Sequence, residues 1–168
     1  MIMKTLGTSK TGVDFQPMFT PYEALELGIF DGSYYGEGTD VTKRDFDQTP
    51  IITKTNLFAP KCSQSLEAWQ EAGWIKPYDP MGWFQWYARY FKGRRIEGYD
   101  DWQIKRWRSF TARHSGQVRK NGNGDITKRI RQRQALLHWC ADPIPDIDMP
   151  LKKKIEFLSK KMKKTVDI

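Results

Sequence analysis

Cysteine, histidine and long apolar runs are all scarce in this chain of 168 residues. Cys62 and Cys140 stand 78 positions apart, which suits reduced thiols and excludes a disulfide scaffold. The two histidines, His114 and His138, and the two cysteines stand at scattered positions along the chain. A zinc signature needs close-spaced ligand pairs, so no metal site and no cofactor is expected. No stretch approaches the roughly 20 apolar residues needed to cross a bilayer, and the N-terminus does not read as a signal peptide. The expectation is an intracellular protein without a transmembrane segment: cytoplasmic, or nucleoid or nuclear if bound to DNA. Walker-type phosphate loops, dinucleotide-binding glycine patterns and nucleophile elbows are absent too, and Gly36-Glu37-Gly38 is too short to stand for one.

Acidic residues are missing from one half of the chain only. Residues 1–90 hold eight Lys and Arg against eleven Asp and Glu, whereas residues 91–168 hold twenty against nine. The net charge of +8 therefore comes entirely from the second half. Such asymmetry points to a polyanionic partner, with nucleic acid (DNA or RNA) first and an anionic membrane surface second. Aromatic residues make up 14% of the chain, including seven Trp, which argues against disorder. The length fits one domain with a tail.

The punctuation predicts a mainly α protein: a single compact helical domain with a long Gly/Pro-containing loop and a C-terminal amphipathic lysine-rich helix. Residues 1–19 show no periodicity and read as a flexible N-terminal arm. The helical domain covers 20–142, and a spacer plus basic C-terminal helix covers 143–168. Thr20, Pro21 and Glu23 form a capping box with Pro at the first helical position, and Gly28 closes that helix. From 31 to 61 the chain is mostly loop, with a hint of strand at 51–55. Ser63 or Ser65 starts a helix that Gly73 ends. Asp79-Pro80 caps the next, stopped by Gly93. Asp100 caps a third over 101–120, Thr127 a fourth over 128–141, and the last spans 149–164.

The third helix carries the clearest pattern. On a helical wheel Ile104, Trp107, Phe110, Thr111, His114 and Val118 fall within about 120° of one another. Lys105, Arg106, Arg108, Arg113, Arg119 and Lys120 fall opposite, with no acid between Lys105 and Lys120. Trp102 lies among these bases. Six unneutralised cations repel one another, so the face is most stable against a polyanion. Arg94 and Arg95 before the helix, and Arg129 and Arg131 after it, extend the patch. Nine of the thirteen bases between Lys92 and Arg133 are Arg, which suits planar, bidentate phosphate or guanine contacts.

Six aromatics crowd into Trp83 to Phe91. On a helix they point in every direction, so core packing is the default. Trp86 and Tyr90, with Trp102, are the candidates for a platform that stacks unpaired bases. His114 and His138 read as hydrogen-bonded core residues. Asp100, Asp101 and His114 are the candidates for acid–base catalysis, and Asp40 sits in the long loop. In the lysine-rich tail, Leu151, Ile155, Leu158 and Met162 form a narrow stripe suited to docking on the domain.

The segments 80–95 (PMGWFQWYARYFKGRR), 101–108 (DWQIKRWR) and 131–139 (RQRQALLHW), with the opening 19–28 (FTPYEALELG), resemble an uncharacterised conserved-hypothetical family associated with fungi, algae and phages. The likeness covers about residues 19–142 and implies that they form one unit. It brings no activity with it, so no catalytic role is carried over. The leading expectation is a nucleic-acid-binding protein whose Arg-rich helical face contacts phosphates. One alternative is an enzyme acting on a nucleic-acid base or nucleotide. Another is a viral or ribonucleoprotein assembly protein with a protein partner on the 31–61 loop or the C-terminal helix.

Overall fold

Thr20 opens the first helix as its spacing predicts. The Thr20 hydroxyl accepts the Glu23 amide (3.1 Å), while the Glu23 carboxylate accepts the Thr20 amide (3.0 Å). This reciprocal cap starts α1, Pro21–Leu27, and Gly28 ends it at φ +119°, a backbone shape that favours glycine. The computed structural model describes residues 6–32, 34, 39, 55–58, 66–73 and 75–166. Cys62, Asp40, the caps expected at Ser63 and Ser65, the strand hint at 51–54 and most of the 31–61 loop lie outside them.

Five further α-helices follow among the described residues: α2 (Leu66–Glu71), α3 (Trp83–Phe91), α4 (Tyr99–Asn121), α5 (Ile130–His138) and α6 (Leu151–Val166). A 3-10 turn covers Phe30–Gly32. Among these residues no strand forms, only isolated bridges at Thr8–Asp14 and Lys76–Asp79. The mainly α expectation holds. No described helix is long and apolar enough to cross a membrane.

The core collects around α3, whose aromatics are buried on every side, as their distribution around the helix requires. Trp86 and Tyr90 are wholly inaccessible, so neither is a stacking platform. At the centre stands Phe15. Its ring lies 5.0–6.1 Å from those of Trp83, Trp86, Tyr87, Tyr90 and Trp107. The Cys140 carbonyl accepts the Met18 and Phe19 amides, and the Phe19 carbonyl accepts the Tyr87 hydroxyl at 2.6 Å. The arm expected over 1–19 is thus part of the core from Phe15 onward.

The spacer and tail are built in as well. Ile144 and Leu158 are fully buried in the same cluster as Phe15. Lys154 crosses from α6 to the Asp142 carboxylate (2.6 Å) and the Ile144 carbonyl (3.1 Å). A boundary at 142 therefore separates no packing unit. Arg133, fully buried, makes a two-bond pair with Asp146 (2.7 Å each) and donates to the Asp125, Lys128 and Pro143 carbonyls. That cluster fixes the spacer against the start of α5.

Replacing Phe15 by Ala removes one ring from the middle of five. It should cost about 3–5 kcal/mol in urea unfolding. A loss below about 1 kcal/mol would return this segment to the status of an arm.

Candidate nucleic-acid interface

Local spacing sets how α4 presents its side chains. Residues four apart stack along one edge of a helix. Trp102, Arg106, Phe110 and His114 form one such row and all are half-buried. Lys105, Ser109 and Arg113 form the neighbouring row and all are exposed. Ile104 and Val118, on the far side, are fully buried. The apolar and basic faces read from the sequence are both present.

Between the inner row and the rest of the molecule lies a cavity of about 770 Å³. Trp69 and Ile75 line it from the α2 side, Trp83 and Phe84 from α3, and Ala135, His138 and Trp139 from the end of α5. Lys105, Arg106 and Arg113 supply its cations, and no Asp or Glu is among its described lining residues. Trp139 is held between Trp83 (4.6 Å between ring centres) and Phe110 (4.5 Å), nearly parallel to both. The Trp107 indole donates to the Trp139 carbonyl at 2.7 Å. Gly82, at φ +98°, lets Ile75 and Trp69 close onto the start of α3, with a Cβ there only 3.2 Å from Ile75 Cδ1.

The predicted binding residues divide into two groups. Lys105, Arg113, Arg119, Lys120, Arg129 and Arg131 are exposed, and none forms an ion pair among the described residues. Arg108 is exposed too, with one bond to the Asp14 carbonyl (2.6 Å). The others are engaged internally. Arg94 grips the buried Asp79 with two bonds, at 2.9 and 2.7 Å. Arg95 donates to the Leu6, Thr8, Tyr90 and Arg94 carbonyls and lies on the Tyr90 ring. Arg106 donates to Gln103 and lies over Trp102 at 4.7 Å. Trp102 itself is stacked with Tyr99 and carries Lys76 at 5.1 Å. Arg94 and Arg95 hold the fold, because the Asp79 carboxylate takes both terminal nitrogens of Arg94 and carbonyls take the Arg95 donors.

The catalytic candidates do not converge. Asp100 is fully buried, where it accepts the Trp86 indole and the Ile96 amide (2.7 Å each). It does not cap α4, which starts from Gly98. Asp79 likewise caps nothing: α3 starts from Gly82, and Asp79 receives Arg89, Arg94 and the Tyr99 hydroxyl. The fourth cap also moves, since Arg129 in a left-handed conformation precedes α5 instead of Thr127. The Ser9 and Thr11 hydroxyls hold the Asp101 carboxyl below the usual range, and the Thr11 hydroxyl donates to it. Only His114 of the three lines the cavity. Burial and the neighbouring Arg113 lower its pKa. No group of three or more His, Cys, Asp or Glu that could hold a metal occurs among the described residues.

His138 is a satisfied core histidine. Its Nε2 accepts the Phe30 amide (3.1 Å), so its Nδ1 carries the proton and donates to the Gln134 carbonyl (2.8 Å). Sequence reasoning missed the cavity because Trp69, Trp83, Trp102 and Trp139 come from separate elements. The only local signal was the four-residue row along α4. No family model, curated protein or solved structure matches the chain.

Burial pushes the His138 pKa down to about 4. An unfolded His titrates near about 6.5 and so takes up a proton that the folded state refuses. Stability contributed by neutral His138 is present above about pH 6.5 and falls as pH drops toward about 4, by up to about 3 kcal/mol. Urea unfolding at about pH 7 and about pH 4.5 should show a smaller acid loss in His138→Gln than in the wild type. Equal losses would mean that His138 is not the titrating group.

Proposed function

We propose that the protein binds nucleic acid through the exposed basic surface of α4, extended by the first residues of α5. One observation carries this reading: the outward cations of α4 have no carboxylate partner among the described residues, whereas several cations that face the interior do. Arg89 and Arg94 meet Asp79, Arg133 meets Asp146 and Lys154 meets Asp142. Lys105, Arg113, Arg119 and Lys120 run along one helix without any such partner among the described residues. A solubilising surface would intersperse both signs. Phosphates supply the missing charge, and each contact releases condensed counterions from the nucleic acid.

The residues proposed for contact are Lys105, Arg108, Arg113, Arg119, Lys120, Arg129 and Arg131. Their side chains fix position on the phosphate backbone, which favours polyanions without distinguishing sequences. Reversal of Arg106, attractive from the sequence, would also remove the cation lying over Trp102 and disturb the cavity wall. Exposed positions isolate the charge effect.

Fluorescence anisotropy with labelled single- and double-stranded oligonucleotides across a salt series tests the proposal. Wild-type binding should weaken steeply with salt. The triple variant Arg113→Glu, Arg119→Glu, Arg131→Glu should reduce the log–log salt slope by about 2–3 at unchanged thermal stability. An unchanged slope in a folded triple variant would remove this surface from consideration.

A further inference from the structure

We propose that the cavity beside α4 holds one unstacked nucleotide of a single strand, its base among the indoles and its phosphate on the Lys105–Arg113 row. The inference rests on the nucleic-acid reading above and assigns it a strand preference. At about 770 Å³ the cavity lies within the size range of small-molecule sites. Its polarity is arranged by depth. Trp69, Trp83 and Trp139 form apolar walls, whereas the cations belong to α4, and Lys105 and Arg113 are exposed.

Two wall residues carry hydrogen-bonding atoms without a partner. Trp83 is only 6% exposed, yet its Nε1 donor is bonded to nothing among the described residues. His114 Nδ1 is buried and has no partner among the described residues. Neither nitrogen is open to solvent, so neither meets a ligand as the cavity stands. What favours a nucleobase is the lining: its faces and edges suit aromatic walls while its phosphate meets the cations of α4. An aliphatic anion would use the cations and leave the aromatic walls uncovered. Since Phe110 and Trp83 cover both faces of Trp139, its edge is what meets the ligand, and the ring serves as a fixed wall.

A base inside a duplex cannot reach such a cavity, whereas one in a single strand can turn out of the stack at small cost. The strand's other phosphates then continue along the outer row of α4, toward Arg119 and Lys120.

Isothermal titration calorimetry of the full chain with AMP, adenosine and inorganic phosphate provides the test. Two filling variants accompany it: Ser109→Leu at the exposed mouth and Ala135→Leu on the opposite wall. AMP should saturate a single site, with adenosine and phosphate each at least about tenfold weaker. Both variants should weaken AMP and single-stranded oligonucleotide by about tenfold, with duplex binding and melting temperature unchanged. Absence of AMP saturation overturns the inference, as does AMP binding undiminished in folded variants. The two proposals fail differently. AMP binding abolished by filling, without salt-dependent oligonucleotide binding, sinks only the basic-surface reading. Salt-dependent binding of both strand types without AMP saturation sinks only the cavity.

Discussion

The buried carboxylate of Asp79 decides where α4 lies. Its two oxygens accept Arg89 (3.0 Å), Arg94 (2.9 and 2.7 Å) and the Tyr99 hydroxyl (2.7 Å), so one residue ties α3, the turn after it and the first turn of α4. Burying a carboxylate is unfavourable unless it is paired and hydrogen-bonded, and here two guanidiniums and a phenol meet that requirement. Asp100 repeats the device from the same first turn of α4, joining the Trp86 indole of α3 to the backbone before α4. With both carboxylates in place, α4 cannot rotate about its axis. The row that ends at His114 faces the cavity, and the row from Lys105 to Arg113 faces outward. Burial and the bonds to Asp79 raise the Tyr99 pKa, which keeps that phenol a donor throughout the physiological range.

The same clamp shows why parts of the chain were legible and others were not. Thr20, Pro21 and Glu23 cap through neighbours three residues apart, and the sequence displays such a cap in full. Asp79-Pro80 and Asp100 imitate that local signal, yet their side-chain partners lie ten to twenty residues away, at distances no motif encodes. Both therefore read as caps and act as cross-links. Phe15 was invisible for a related reason. A single ring in a segment rich in Thr, Gly, Lys and Ser has no periodicity, and only the fold brings five aromatics around it.

The basic surface was legible because an uninterrupted charge pattern on one helix needs no tertiary information. What the pattern could not say is which arginines turn inward. Arg94 and Arg95 have the same local character as Arg113 and Arg119, yet they fill carbonyl and carboxylate acceptors that distant segments supply. Carboxylates hold inward cations at Asp79, Asp142 and Asp146, whereas the outward cations of α4 have no such partner among the described residues. On α6 the buried Lys154 meets Asp142, while the exposed Lys153 pairs with Glu156 at 3.7 Å. The cavity follows from this order, since no described acid lines it and Arg106 and Lys76 lie over the indole at its edge.

Amide chemical-shift mapping on the uniformly labelled chain, titrated with a single-stranded oligonucleotide, reads the location of binding directly. The account predicts shifts concentrated on Lys105, Ser109, Arg113, Arg119 and Lys120, with side-chain indole signals of Trp83 and Trp102 moving in the same titration. Shifts confined to the lysines of α6, with α4 silent, would contradict it.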